Sequence, residues 1–191
     1  MQDFGIYFEL GLQHILDLDG YDHILFVIAL CCTYFVKDWR KVVILVTAFT
    51  VGHSLTLALS VFNLIRVDTA LIEFLIPVTI LITAFSNIVK RRRRHGGTDW
   101  LTYGYALFFG LIHGLGFSNY LRSLLGGEQS IAAPLFAFNI GLELGQLFIV
   151  FLVLLVSFVA TGIFAVTRRD WTFFLSAAVF GISLVMALER L

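Results

Sequence analysis

The stretch VVILVTAFTVGHSLTLALSVF, residues 42–62, decides the fold class of this protein. It contains no Asp, Glu, Lys or Arg, and its length matches the about 20 apolar residues that a transmembrane helix requires. Windows of about 19 residues find further stretches of the same kind. The expected spans are Tyr21–Val36, Val42–Phe62, Thr69–Val89, Leu101–Asn119, Ala132–Ala160 and Trp171–Leu188. The sequence therefore predicts an all-α fold, a polytopic membrane helix bundle of about six transmembrane helices.

The composition excludes most other classes of protein. Of the 191 residues, 59% are hydrophobic and 14% are charged. Soluble domains contain about 45–50% apolar and about 25% charged residues, and a soluble chain of this length could not bury so much apolar surface. This excludes a soluble enzyme, a nucleic-acid-binding domain and a disordered protein. We expect residues 1–191 to form one integral membrane domain, and the sequence shows no obvious internal repeat.

A separate half-helix is expected before the first span. Between Phe4 and Leu18 the apolar residues recur near helical spacing. Gly20 follows this segment, and glycine is unfavourable in the interior of a helix. We therefore expect residues 1–19 to form an outer half-helix and loop, packed at the membrane surface or partly re-entrant. Residues 20–191 would then form the six-span bundle.

Basic residues predict the orientation of the chain in the membrane. They cluster at positions 37–41, 90–94 and 168–169, in loops that alternate with the remaining loops. Cytoplasmic loops are enriched in Lys and Arg, so we expect these loops inside and both termini outside. We interpret the run at 90–94 as a topology signal and a contact for membrane lipid headgroups, not as a nucleic-acid site.

Several titratable side chains fall inside the expected spans, where such groups are costly and usually line a site. With a rise of about 1.5 Å per residue, His53 and His113 lie about 17–18 Å above the cytoplasmic face. The others also lie between the middle of the membrane and its outer surface. The set is His14, Asp22, His23, His53, Glu73, His113 and Glu143. Asp17 and Asp19 also stand at the start of the domain, either as part of the set or as solvated acids of the outer loop. Their common depth predicts a single site that is open to the outside.

Histidines and carboxylates in one place favour a metal site. Imidazole and carboxylate are ligands for Zn, Ni, Co, Fe and Mn, and a carboxylate can also orient a ligating histidine. We predict one divalent transition metal, with the histidines as ligands and a carboxylate completing or supporting the sphere. The candidate ligands are His23, His53, His113, His14, Asp22 and Glu143. Because imidazole titrates near neutral pH, a proton relay is an alternative use of the same groups.

Supporting polar residues are expected on the fifth and third spans. Asn139, Glu143 and Gln146 share one helix face, because they are spaced i, i+4 and i+7. On the third span, Glu73 and Asn87 fall near one face, and they would line an inward route if the protein is a permease.

Four motifs resemble the HupE/UreJ family, and the second HupE/UreJ-like branch fits best. They are HILDLDGYDHILF (residues 14–26), TVGHS (50–54), FGLIHGLGFS (109–118) and FNIGLELGQ (138–146). The family's first histidine is followed after five residues by Asp-His, whereas seven residues separate His14 from Asp22 here. The resemblance implies a small bacterial inner-membrane protein that moves nickel or cobalt, with Asp22, His23 and His113 at the family's motif positions.

The residues leave other functions open. A zinc ion held by His23, His53 and His113 could activate water toward a lipid or peptide substrate, with Asp22 or Glu143 as base. Such an intramembrane metal-dependent hydrolase is the alternative to a permease. A metal sensor or an accessory subunit without transport is a third possibility.

Overall fold

The structure is a computed structural model, and it describes residues 2–89, 100–125 and 131–191. Within these residues the chain is helical and contains no strand. The helices are α1 (Gln2–Leu16), α2 (Asp22–Cys31), α3 (Trp39–Val61), α4 (Thr69–Val89), α5 (Trp100–Leu125), α6 (Ala132–Phe158) and α7 (Arg168–Glu189). A 3₁₀ turn, Val36–Asp38, precedes α3, and a π-helical turn, Val159–Ile163, extends α6. The prediction of an all-α membrane helix bundle is confirmed.

Four of the described helices are long and apolar enough to cross a membrane: α3 with its 3₁₀ turn, α4, α6 with its π turn, and α7. Helix α5 is as long as these, but glycines and polar residues interrupt its apolar sequence. Helix α2 is apolar but has only 10 residues. The first expected span is therefore a short helix here, preceded by α1 as a separate helix. The basic run at 90–94 lies outside the described residues.

Helices α1 and α6 form a parallel pair that is packed through glycines. Gly11 of α1 lies against the carbonyl group of Phe138, and Gly141 of α6 lies against the carbonyl group of Phe8. Further along both helices, Gly145 reaches Ile15, so the two helices run in the same direction. A Cβ atom at either reciprocal glycine would collide with the facing backbone. Only glycine permits so close an approach.

Helices α3 and α5 form a second parallel pair with the same reciprocal contact. Gly52 of α3 lies against the carbonyl group of Leu107, and Gly110 of α5 lies against the carbonyl group of Phe49. Toward the ends of both helices, Arg122 donates a hydrogen bond to Ser60 across 2.6 Å. This pair is the most extensive helix contact among the described residues, and it carries two of the histidines of the site.

The two pairs run in opposite directions. The guanidinium of Arg168, at the start of α7, stacks 4.4 Å above the ring of Phe35, which just precedes α3. The 3₁₀ turn before α3 also packs against α6. The start of α3 therefore lies beside the end of α6, and these two helices are antiparallel. Helix α4 packs antiparallel to α7, because Phe85 contacts Phe180 and Arg190, after the end of α7, contacts Glu73 near the start of α4.

The short helix α2 ends against polar groups from its neighbours. The last carbonyls of a helix have no partner within it. Asn87 of α4 donates to the Ala29 carbonyl across 2.7 Å, and Thr172 of α7 donates to the Cys32 carbonyl across 3.0 Å. These contacts position α2 between α4 and α7, and they set the depth of the residues at its start.

Candidate metal centre

Three histidines from three helices converge in the interior of the bundle. His14 comes from α1, His23 from α2 and His53 from α3, and one ligand atom of each lies within 4.8 Å of the others. Nitrogens that share a tetrahedral metal at about 2.1 Å lie ~3.4 Å apart. These residues are the histidine cluster of the protein.

Four ring nitrogens of the histidine cluster are buried without hydrogen-bond partners. Nε2 of His14, Nε2 of His23 and both ring nitrogens of His53 have no hydrogen-bond partner. His53 is fully buried, and His23 is 5% exposed. A buried polar atom without a partner costs about 1–3 kcal/mol. Several of them directed at one place fit the chemistry of a metal ligand set, because a bound ion would satisfy them together.

Asp22 orients the ring of His23. Nδ1 of His23 lies 2.9 Å from Oδ1 of Asp22. A carboxylate is an acceptor only, so Nδ1 carries the proton and Nε2 keeps its lone pair. This is the arrangement in which a carboxylate fixes the tautomer of a metal-binding histidine. Asp22 therefore acts on the ring of His23 in this structure.

Arg190 at the end of α7 holds the other side of Asp22. Its guanidinium lies 3.8 Å from Oδ2 of Asp22 and donates to the carbonyl of Glu73 across 3.0 Å. That carbonyl has no helical partner, because Pro77, four residues later, has no N–H. The side chain of Glu73 itself is exposed. Arg190 was not among the residues that the sequence indicated for the site.

His113 lies beside the histidine cluster, and its ring binds to α4. Its ring centroid is 5.3 Å from that of His23, and its Nε2 is 3.0 Å from the hydroxyl of Thr79. The Thr79 hydroxyl donates to the Ile76 carbonyl, so it accepts from His113. Nε2 of His113 therefore carries the proton, and Nδ1 is left buried without a partner. Sequence reasoning missed Thr79.

Two of the polar residues of α6 form hydrogen bonds with threonines of α3. Glu143 accepts a hydrogen bond from Thr47 across 2.7 Å, and Gln146 accepts one from Thr50 across 2.7 Å. Oδ1 of Asn139 is buried without a partner. Two residues of the expected stripe on the fifth span, Glu143 and Gln146, thus lie in a polar seam between α6 and α3. In this structure, Glu143 contacts a threonine of that seam, not a histidine.

A groove connects His14 to the surface. It has a volume of about 820 Å³, and its polar lining includes Glu9, Gln13 and Asp17. The ring of Phe117, which also lines the groove, is tilted by 36° against that of His14 with a centroid distance of 3.9 Å. Acidic groups at the mouth of a cleft attract cations. The groove therefore gives a cation a route to the first histidine of the cluster.

A family model described as HupE / UreJ protein matches residues 1–190. No curated protein and no solved structure shows significant similarity to the chain.

Proposed function

Because this chain belongs to the HupE/UreJ family, we propose that it is a membrane permease for a divalent transition metal, nickel or cobalt. The single observation that carries the proposal is the histidine cluster, with ligand atoms within 4.8 Å of one another. The family is associated with the uptake of these metals. His14, His23 and His53 would bind the ion on its way through the membrane.

The donor set suits the proposed substrates. Imidazole binds Ni, Co and Zn, and thiolate favours softer ions such as Cu(I). The two cysteines of the chain, Cys31 and Cys32, are buried, and Sγ of Cys32 lies 3.4 Å from the hydroxyl of Ser176. They lie at the other end of α2 from His23, so the histidine cluster offers the ion no thiolate. Zinc is the competing ion that this donor set would also accept.

The groove supports uptake from outside. With both termini on the outer side, as the basic loops predict, the groove beside α1 opens to that side. Glu9 and Asp17 would concentrate cations at its mouth, and His14 would receive the ion at its inner end. The orientation proposed for a bacterial inner membrane thus agrees with the direction of metal uptake.

The alternative function, a zinc-dependent hydrolase, receives less support from the same residues. Such an enzyme needs a base beside the water that its metal binds. The two carboxylates expected for that task are engaged, since Asp22 accepts from His23 and Glu143 accepts from Thr47. Whichever of the two acts as the base, the oxygen that holds its present partner would not be available to the water.

Metal content and uptake test the proposal together. Single variants His14→Ala, His23→Ala and His53→Ala should each lower the metal bound by protein purified without chelator. His95→Ala, the fifth histidine of the chain, is the matched control and should bind as wild type does. Wild-type protein in proteoliposomes should accumulate Ni²⁺ or Co²⁺, and His53→Ala should not. Unchanged metal content in all three cluster variants, or no uptake of either ion by wild type, would refute the permease.

A further inference from the structure

The two glycine-packed helix pairs are copies of one another. In α1 and α5 the glycine begins a common motif: Gly11-Leu12-Gln13-His14 in one, Gly110-Leu111-Ile112-His113 in the other. In α6 and α3 the glycine ends a common motif, since Phe138 and Gly141 match Phe49 and Gly52. Matching the reciprocal contacts pairs α1 with α5 and α6 with α3.

An independent contact supports this correspondence. Gly145 of α6 packs against Ile15 of α1. The corresponding positions are Thr56 of α3 and Gly114 of α5, and these two residues also contact each other. The glycine of this contact is on α6 in one pair and on α5 in the other, but both pairs have the same close approach. The repeat therefore extends over the whole contact between the helices of each pair.

The two copies are inverted relative to each other. The α1·α6 pair runs opposite to the α3·α5 pair, because α3 and α6 are antiparallel. The chain thus has two halves: α1, α3 and α4 in the first correspond, in that order, to α5, α6 and α7 in the second. Each glycine-packed pair takes one helix from each half, and α4 packs antiparallel against α7. This is the arrangement of an inverted repeat, whose substrate site lies between the halves near the middle of the membrane. Helix α2, which carries His23, is the element without a counterpart.

His14 and His113 occupy corresponding positions but have different surroundings. His14 lies at the inner end of the groove, next to the exposed Gln13. His113 is 1% exposed, and its neighbour Ile112, the counterpart of Gln13, is partly buried. His23 lies between them, with ring centroids 4.6 Å from His14 and 5.3 Å from His113. The histidine of the first half, His14, is therefore accessible through the groove, whereas that of the second half, His113, is buried.

We infer that His14 and His113 are the equivalent ligands of two inverted halves, and that the metal site is two-sided. His14 receives the ion from the outer groove, and His113 releases it to the inner side when the halves exchange conformations. His23 serves both states from the inserted helix. Halves of the same construction can adopt either conformation, and the metal shifts the populations of the two states. This inference rests on the permease proposed above and names the inner half of its site.

Thiol labelling from each side tests the inference. Gln13→Cys and Ile112→Cys are made in the wild-type chain, whose own cysteines are buried. Each variant is reconstituted in one orientation and treated with a membrane-impermeant maleimide from either side, with and without Ni²⁺. The inference predicts labelling of Gln13→Cys from the outer side only, and of Ile112→Cys from the inner side only. Ni²⁺ should change the inner labelling at least twofold.

The controls keep the result decisive. Wild type should be labelled from neither side. Leu144→Cys should also be labelled from neither side, because this exposed position on the membrane-spanning helix α6 would face lipid, which the maleimide does not enter. Leu10→Cys and Phe109→Cys, one turn away at corresponding positions, repeat the measurement if a first variant does not fold. The inference would be overturned if both α5 variants, Ile112→Cys and Phe109→Cys, were labelled from the outer side. It would also be overturned if an α5 variant that binds Ni²⁺ were labelled from neither side. Labelling as expected without Ni²⁺ uptake by wild type would instead refute transport and leave the two-sided site standing.

Discussion

Two adjacent residues at the start of α2, Asp22 and His23, are joined through the Oδ1 atom of the carboxylate and Nδ1 of the ring, 2.9 Å apart. The same oxygen accepts the backbone N–H of His23 across 2.8 Å. Two donors on one oxygen fix the carboxylate, and the carboxylate fixes the ring with Nε2 directed away from it. The histidine is thereby oriented before any metal arrives.

Asp22→Asn should weaken metal binding about tenfold without unfolding the protein, because a neutral amide polarises the ring less than a carboxylate does. A competition titration with a metal indicator measures the change in Kd. Asp19→Asn, in the exposed loop before α2, is the matched control and should bind as wild type does. Equal affinities for the two variants would show that the pair does not support a metal ligand.

Gly110→Ala should destabilise the protein by about 1–3 kcal/mol, because the added Cβ would collide with the Phe49 carbonyl and force α3 and α5 apart. Gly104→Ala on the same helix meets no atom within 4 Å and should be neutral or stabilising by up to about 1 kcal/mol. Thermal unfolding in detergent compares the two. A loss of stability no larger in Gly110→Ala than in Gly104→Ala would contradict the packing described here.

Thr79→Val should lower the free energy of unfolding by about 1–3 kcal/mol, because it leaves the buried Nε2–H of His113 without its acceptor. Thr83→Val, one turn later, removes only a hydroxyl that donates to its own helix, at the Thr79 carbonyl. It should have less than about half that effect. The unfolding transitions of the two variants give the comparison, and equal shifts would mean that the contact with His113 is not stabilising.

Asn87→Leu should lower stability by about 1 kcal/mol through loss of the hydrogen bond to the Ala29 carbonyl. Uptake per folded molecule should stay near the wild-type value, because the side chain contacts the end of α2. Thermal unfolding and uptake in proteoliposomes measure the two quantities separately. Wild-type stability with lost uptake would instead place Asn87 on an inward route, as the polar line of the third span suggested.

Much of the fold could be predicted from the sequence, because apolar stretches the length of a membrane are local features. The break between α1 and α2 was also predicted, from Gly20 and the short first span. The histidines were recognised as candidates from their depth alone. Their grouping could not be read in the same way, because depth gives height in the bundle and leaves open the direction in which each ring points.

The rotation and crossing angles of the helices determine which side chains come into contact. Glu143 shares a depth band with the histidines, yet the rotation of α6 turns it to Thr47. His14 joins His23 and His53 although seven residues separate it from Asp22, because the loop between α1 and α2 brings the rings together. Thr79 and Arg190 carry no local signal, since each acts only through a distant partner.

By itself, the sequence determined that the chain is an all-α membrane bundle of the HupE/UreJ family, and it predicted a common depth for the titratable groups. Only a few short sequence motifs indicate the repeat that relates α1 to α5. The role of the glycines in these motifs becomes visible only when the facing backbone that each glycine contacts is known. Tertiary structure alone decided which histidines converge and which helix pairs correspond. The physical reason is that side-chain convergence depends on contacts between helices distant in the chain, whereas partition into a membrane depends on the composition of each segment alone.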